Sequence, residues 1–233
     1  MNTPATLFEE DGWLSVQGHR RQWRLSEDGL IYERATSHSA AAPRRTHPYN
    51  PNAKLTARVA ADYEPLCERM GETFSVPVAT LIATLSNESG GDPDAERDEG
   101  WDISFGLGQV LTSTALFVGR VYGWPRSPEE HPWLMPMRSY KSDRSTKDRW
   151  RRFLCHPEVN VAFTAMVHDY LRRHRGTLGD PLLSYAGYNA GGVYVGDNRY
   201  GLHATASAVE AFVLFFNDYS ASRASASSRR PSS

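Results

Sequence analysis

Glu88 is the residue in this chain best placed for proton chemistry. Leu81, Leu85 and Glu88 stand at i, i+4 and i+7, so on a helix the carboxyl shares the apolar face, where loss of water disfavours its charged form. Gly90-Gly91 predicts the helix end just beyond, which places the carboxyl at the negative end of the helix dipole and opposes ionisation again. Cleaving a glycosidic bond needs a carboxylic acid still protonated near neutral pH, because the leaving oxygen must take a proton as the bond breaks. Two further stretches have the composition of a site. Phe105-Gly106-Leu107-Gly108-Gln109 is a tight glycine path ending in an amide whose donor and acceptor suit sugar hydroxyl and N-acetyl groups. Gly187-Tyr188-Asn189-Ala190-Gly191 sets a phenol and an amide among residues small enough to let backbone approach a ligand.

Taken in order, these stretches resemble the soluble lytic transglycosylases, a lysozyme-like family that cuts the glycan of bacterial peptidoglycan. Asn87-Glu88-Ser89-Gly90 carries the family's Glu-Ser pair. Gly106-Leu107-Gly108-Gln109 is similar to its Gly-Leu-Met-Gln turn, with Gly108 where Met is usual, and Gly187 to Gly191 is similar to its Ala-Tyr-Asn-Ala-Gly. The resemblance covers residues 55–219. It implies a mainly α fold, a lysozyme-like helical domain, with Glu88 acting first as acid and then as base. It also implies Ser89, Gly106, Leu107, Gln109, Tyr188 and Asn189 around the substrate, with the Tyr188 hydroxyl reaching toward the acid. Ser89 would orient substrate or acid, or else cap the helix end, and Asn189 would fix its turn. Gly108 would remove an apolar wall and widen the cleft. The family's cleft-facing tyrosine of the last helix is matched by Phe212, so that hydroxyl is lost or supplied by Tyr194 or Tyr200.

Transglycosylases of this kind manage with one carboxylate, because the 6-hydroxyl of the muramic sugar attacks its own anomeric carbon and gives a 1,6-anhydro product. Goose-type lysozymes, relatives with the same fold, hydrolyse with aspartates from the loop after the acid. Asp92, Asp94, Asp98 and Asp102 follow Glu88 here, which makes Asp92 and Asp102 the candidate second carboxylates of a muramidase. The lyase is the expectation, and a non-catalytic cell-wall-binding virion protein the alternative of another class. That alternative would lack the acid, and Glu88 is present.

The elements that must hold these residues follow from periodicity. Residues 1–36 read as a small β-meander of three strands, with alternation at Trp13, Trp23, Leu25 and Ile31 and turns at Gln17-Gly18 and Asp28-Gly29. Such a piece is too small to stand alone; it is expected to dock on a carrier or on the core without taking part in chemistry. Residues 37–52, rich in proline, read as a linker. Residues 53–220 form the catalytic domain, with helical periodicity throughout. Pro65 predicts a fresh helix, Ser75 an N-cap, and further helices open at Pro157 and at Asp180-Pro181. The last helix carries Val209, Phe212, Val213, Phe216 and Tyr219, and residues 221–233, almost wholly Ser, Ala and Arg, read as a disordered tail.

With 233 residues, 40% of them apolar, and a formal charge of -1, the chain can bury one main core and has no global bias toward anionic partners. Residues 123–152 are a basic and aromatic insertion: Trp124, Trp133, Met135, Met137 and Trp150 stand beside Arg138, Lys141, Arg144, Lys147, Arg149, Arg151 and Arg152. They could meet sugars and acidic peptide stems, or plug the domain; nucleic acid is not the expected partner. Cys67 and Cys155 lack metal-ligand spacing and read as buried thiols, so neither metal nor cofactor is expected. No basic region followed by an apolar run opens the sequence and no stretch suits a bilayer. The expected partner is therefore peptidoglycan, reached through a bacteriophage virion, a holin pore or a secretion machine.

Overall fold

The computed structural model describes residues 2–35, 38–44, 51–123, 144–204 and 207–227. The N-terminal meander has five antiparallel strands in chain order: β1 (Leu7–Glu10), β2 (Trp13–Val16), β3 (Gln22–Leu25), β4 (Ile31–Arg34) and β5 (Ala42–Pro43). Three were expected. The missed β1 is mostly exposed and shows no alternation, but Asp11-Gly12 between Glu10 and its partner Trp13 has positive φ at both residues, as a two-residue hairpin loop demands. The missed β5 lies inside the supposed linker; Pro43 is tolerated because a two-residue edge strand needs no donor there.

Helix α1 (Pro51–Phe74) runs unbroken through Pro65, contrary to the expected fresh start. Proline inside a helix costs about 3 kcal/mol, but Val59 and Cys67 on either side of it are wholly buried against Leu81, Ile82 and Leu85, and that packing outweighs the lost bond. Helix α2 (Val78–Glu88) starts after Pro77, its N-cap. Ser75 is no cap; it sits at φ 56° in the connecting turn. An unanticipated sheet follows, β6 (Glu96–Asp98), β7 (Ile103–Phe105) and β8 (Val110–Leu111), then α3 (Thr112–Tyr122), α4 (Arg144–Leu154), α5 (Pro157–His174), α6 (Pro181–Ala190) and α7 (Ala208–Ser227). Three very short strands carry too little alternation to announce themselves. The architecture is thus helical with two small antiparallel sheets.

Helix α5 is the axle. Residues Val159 to Asp169 are all buried, as befits a helix surrounded by others rather than lying at the surface. The apolar residues of α3, α4 and the second sheet gather on one side of it, those of α1 and α2 on another. The N-terminal sheet shares a third cluster with α6 and α7, in which Trp23 and Ile31 meet Leu182, Tyr200, Phe212 and Phe216. Polar bonds lock that contact: Asn217 of α7 accepts from the Ile31 N–H at 2.7 Å and donates to the carbonyls of Ile31 and Arg44. Glu33 of β4 accepts from Arg199 at 2.6 and 3.0 Å and from the Tyr200 hydroxyl at 2.9 Å. Of the two expected docking places, a carrier or the core, the meander takes the core and forms one wall of it.

Two other expectations shift. The last helix continues to Ser227, through half of the supposed disordered tail. Alanine is the best helix former, and Arg223 faces Glu64 and Glu68 of α1 at 3.1 and 3.7 Å; residues 228–233 lie outside the described residues. Of the insertion, residues 124–143, with Trp124, Trp133, Met135, Met137, Arg138 and Lys141, lie outside them too. In α4, Trp150 is buried beside Phe153 and Phe163, so this aromatic plugs the domain, while Lys147 and Arg151 pair with Glu96 of β6. Cys67 is buried, with its thiol pushed up to about 12 by loss of water, and Cys155 is half-buried. Among the described residues no helix is long and apolar enough to cross a membrane.

Candidate active site

Glu88 ends α2 and is half-buried. Tyr185 of α6 donates its hydroxyl to Glu88 Oε1 at 2.7 Å, and Asn189, one turn further along α6, also hydrogen-bonds the carboxyl. Across from them the β6 arm presents Arg97 and Glu99, an ion pair at 2.7 Å. Loss of water pushes the Glu88 pKa up; Tyr185, Arg97 and Asn189 pull it back, and Glu99 pushes the same way as burial. Desolvation wins, and the direction is the one an acid catalyst needs.

Tyr185 is the site residue that sequence reasoning missed. Its signal was available: Tyr185 and Tyr188 at i and i+3 must share one face of α6. Their rings stand nearly parallel, 6.4 Å apart. Phe212 of α7 stacks on the other side of Tyr185 at 4.4 Å, with 6° between the planes. Beside Phe212 it is Tyr185 that sets a hydroxyl against Glu88, whereas the Tyr200 hydroxyl is bound to Glu33.

The Tyr188 hydroxyl does not reach the acid. It donates to the Gly108 carbonyl at 2.7 Å, and its ring stacks on His168 at 4.8 Å. His168 is wholly enclosed, bonded to Thr84 at 3.0 Å and Ser184 at 2.7 Å, and burial pushes its pKa down to about 3. A neutral ring therefore backs Tyr188, which braces the glycine loop from behind.

That loop is closely packed. A Cβ on Gly108 would lie 2.1 Å from Thr164 Oγ1 and 2.9 Å from the Tyr188 hydroxyl, so glycine here does not widen a cleft; Thr164 and Tyr188 fill the space a methionine would need. Gly106, at φ 73°, would drive a Cβ to 2.3 Å from the Leu154 carbonyl. Buried Asn160 of α5 clamps the path, accepting from the Gly108 N–H and donating to the carbonyls of Phe105 and Leu154, each at 2.7 Å. Leu107 is fully buried and Gly106 buried beside it, so neither meets a ligand through its side. Gln109 spends its amide on the fold as well: it accepts from Ser104 and donates to Ala95 and Gly106 at 3.0 to 3.1 Å. These residues position the hairpin opposite the acid.

The remaining expectations divide similarly. Ser89 is the C-cap of α2, and its hydroxyl accepts from the Gly91 N–H at 3.1 Å. Asp92 accepts from the Asp94 N–H, and Asp98 from the Gly100 N–H, as turn residues do. Asp102 is buried and takes four donors: the N–H of Ile103 and Ser113 and the hydroxyls of Thr112 and Ser113. It caps the start of α3, so both of its oxygens are spent. Gly187 packs on Leu171 of α5, and the expected turn is the end of α6, closed by Gly191 at φ 73°.

Helix α6, which carries Tyr185, Tyr188 and Asn189, is anchored by Asp180. This N-cap accepts from Leu183 N–H at 2.9 Å and from Trp23 Nε1 of β3 at 3.3 Å. Burial pushes its pKa up to about 6 from 3.8. The folded state then holds a proton between those values that the unfolded chain releases, so stability is full below pH 4 and falls as pH rises through 6. The drop is about 3 kcal/mol for a two-unit shift. Denaturant melts from pH 4 to 7 should show that slope in the wild type and a shallower one in Asp180→Asn; parallel curves would refute the assignment.

In comparison with known proteins, no protein-family model and no curated protein matches the chain.

Proposed function

We propose that the chain is a lysozyme-like lytic transglycosylase of peptidoglycan, with Glu88 as its single acid and base. The observation that carries the reading is the Glu88 carboxyl itself: half-buried, raised in pKa, and held from α6 by Tyr185 and Asn189. Protonated Glu88 gives its proton to the oxygen linking MurNAc to GlcNAc as the β-1,4 bond breaks. The resulting carboxylate takes the proton of the muramic 6-hydroxyl while that oxygen closes on C1. The product is 1,6-anhydroMurNAc, and Glu88 returns to its neutral form. The substrate groove would run between α2, the β6–β7 hairpin and the end of α6.

The engagement of Asp92, Asp98 and Asp102 in turns and a cap supports the one-carboxylate route. A goose-type muramidase remains the second reading because Glu99 raises the Glu88 pKa from across the site and could activate a water. Mass spectrometry of digested sacculi separates the two, since hydrolysis adds one water and internal transfer adds none. We expect anhydro products, unchanged in Glu99→Gln. Reducing-end products that depend on Glu99 would move the protein to the hydrolases. In this reading the partner is the glycan strand of the bacterial wall, reached through a phage virion, a pore or a secretion machine.

A further inference from the structure

Asn87 precedes the acid and points away from it toward α6 and α7. Its Nδ2 donates to the Tyr185 hydroxyl oxygen at 2.5 Å and to the Ala208 carbonyl at 2.9 Å. The Ala208 carbonyl can only accept, and this settles which way the amide faces: the reverse orientation would set oxygen against oxygen. Both Nδ2 hydrogens are then spent. The Tyr185 oxygen must accept from Asn87, so its single proton is left for the other partner, Glu88 Oε1 at 2.7 Å. Tyr185 is 1% exposed, so water does not compete for that proton, and its ring is held by the stack on Phe212.

We propose that Asn87 and Tyr185 form a hydrogen-bond chain of fixed polarity that makes Glu88 Oε1 a permanent acceptor and leaves the acid's transferable proton on Oε2. A neutral carboxyl has one O–H, and the oxygen already accepting from Tyr185 is its carbonyl. The chain thus selects which oxygen of Glu88 can protonate a leaving group, and it holds the carboxyl in one rotamer while doing so. Tyr185 and Asn87 are positioning residues; Glu88 alone would touch the reacting atoms. The other groups facing the acid are Arg97 and Glu99 from the hairpin and Asn189 from α6, with Tyr188 near enough for the acid's charge to act on it. The acceptor of the Tyr185 hydroxyl is Glu88 Oε1. The catalytic meaning of this selection rests on the function proposed above, whereas the polarity of the chain does not.

Infrared difference spectra between low and high pH, wild type against Glu88→Gln, isolate the carbonyl stretch of neutral Glu88. In Tyr185→Phe, which keeps the stack on Phe212, that band should move to higher frequency, because its carbonyl loses a donor. The same substitution should move the titration of the band to higher pH, because the lost bond favoured the charged form. An unmoved band and titration in folded Tyr185→Phe would overturn the proposal. Should that variant fail to fold, Asn87→Leu frees the Tyr185 hydroxyl to turn away, and the band should move in the same direction by less; an unmoved band there overturns it equally. Muropeptide release run alongside tests the other claim: moved bands without any release by the wild type would leave the chain standing and remove the transglycosylase reading.

Discussion

Glu88→Gln is expected to lower release of muropeptides from sacculi by at least about a hundredfold, the ordinary scale of a lost general acid, while the protein stays folded. Glutamine is nearly isosteric, and its carbonyl can still accept from Tyr185, so the geometry of the site survives and only the proton is gone. The stability change has a sign as well. Because the folded-state pKa of Glu88 is raised by burial, the folded protein holds the proton more tightly than the unfolded chain. Stability is therefore greatest at low pH and falls as pH rises through the folded pKa. An uncharged side chain avoids that fall, so the variant should melt at or above the wild-type temperature at pH 8, as removing a strained catalytic group often does. Turnover retained in the folded variant would remove Glu88 from the chemistry altogether.

The raised pKa of Glu88 and its place at a helix end were legible in the sequence, because the apolar face and the Gly90-Gly91 stop were both readable from spacing. Its partners were legible only in part. Asn189, expected to fix its turn, bonds the Glu88 carboxyl instead, while Tyr188 and Gln109 carry the expected functional groups and turn them inward. The reason is a feature no local pattern records: Asn160 and Thr164 of helix α5, far from any motif in sequence, rise behind the glycine loop, the first bonding its backbone and the second filling the space beside Gly108. Asp102 shows the same thing from the other side. A carboxylate in a loop after the acid looks available until the N-terminus of α3, found only by folding, is seen to consume it. Tyr185 was hidden differently. Its meaning depends on Phe212 and Asn87, which lie far from it in sequence, and a buried aromatic one turn before a motif looks like core.

Elements failed to be read where tertiary packing overrides local preference. Pro65 would end a helix in isolation, and here the apolar residues on both sides of it hold α1 together. The second sheet is made of strands two and three residues long, below the length at which alternation is a signal.

A variant lacking residues 1–51 is expected not to fold. The cut removes Val16, Trp23 and Ile31, all essentially unexposed and packed on α6 and α7. At about 1.5–3 kcal/mol for each fully buried apolar side chain, these three alone are worth some 5–9 kcal/mol. Asn217, fully buried, loses its three main-chain partners at Ile31 and Arg44, and an orphaned buried amide costs a further ~1–3 kcal/mol. Asp180 loses the Trp23 donor and, with it, part of the anchor of the helix that holds Tyr185 and Asn189 against the acid. Together these losses match the whole stability of a domain, about 5–15 kcal/mol. Circular dichroism of the truncated protein should show no cooperative melt, and Trp23→Ala in the full chain should lose about 3–5 kcal/mol in denaturant melts as a milder form of the same damage. A truncated protein that melts cooperatively and still cuts soluble glycan would show that the sheet only rests on the core, and that α6 holds the acid without it.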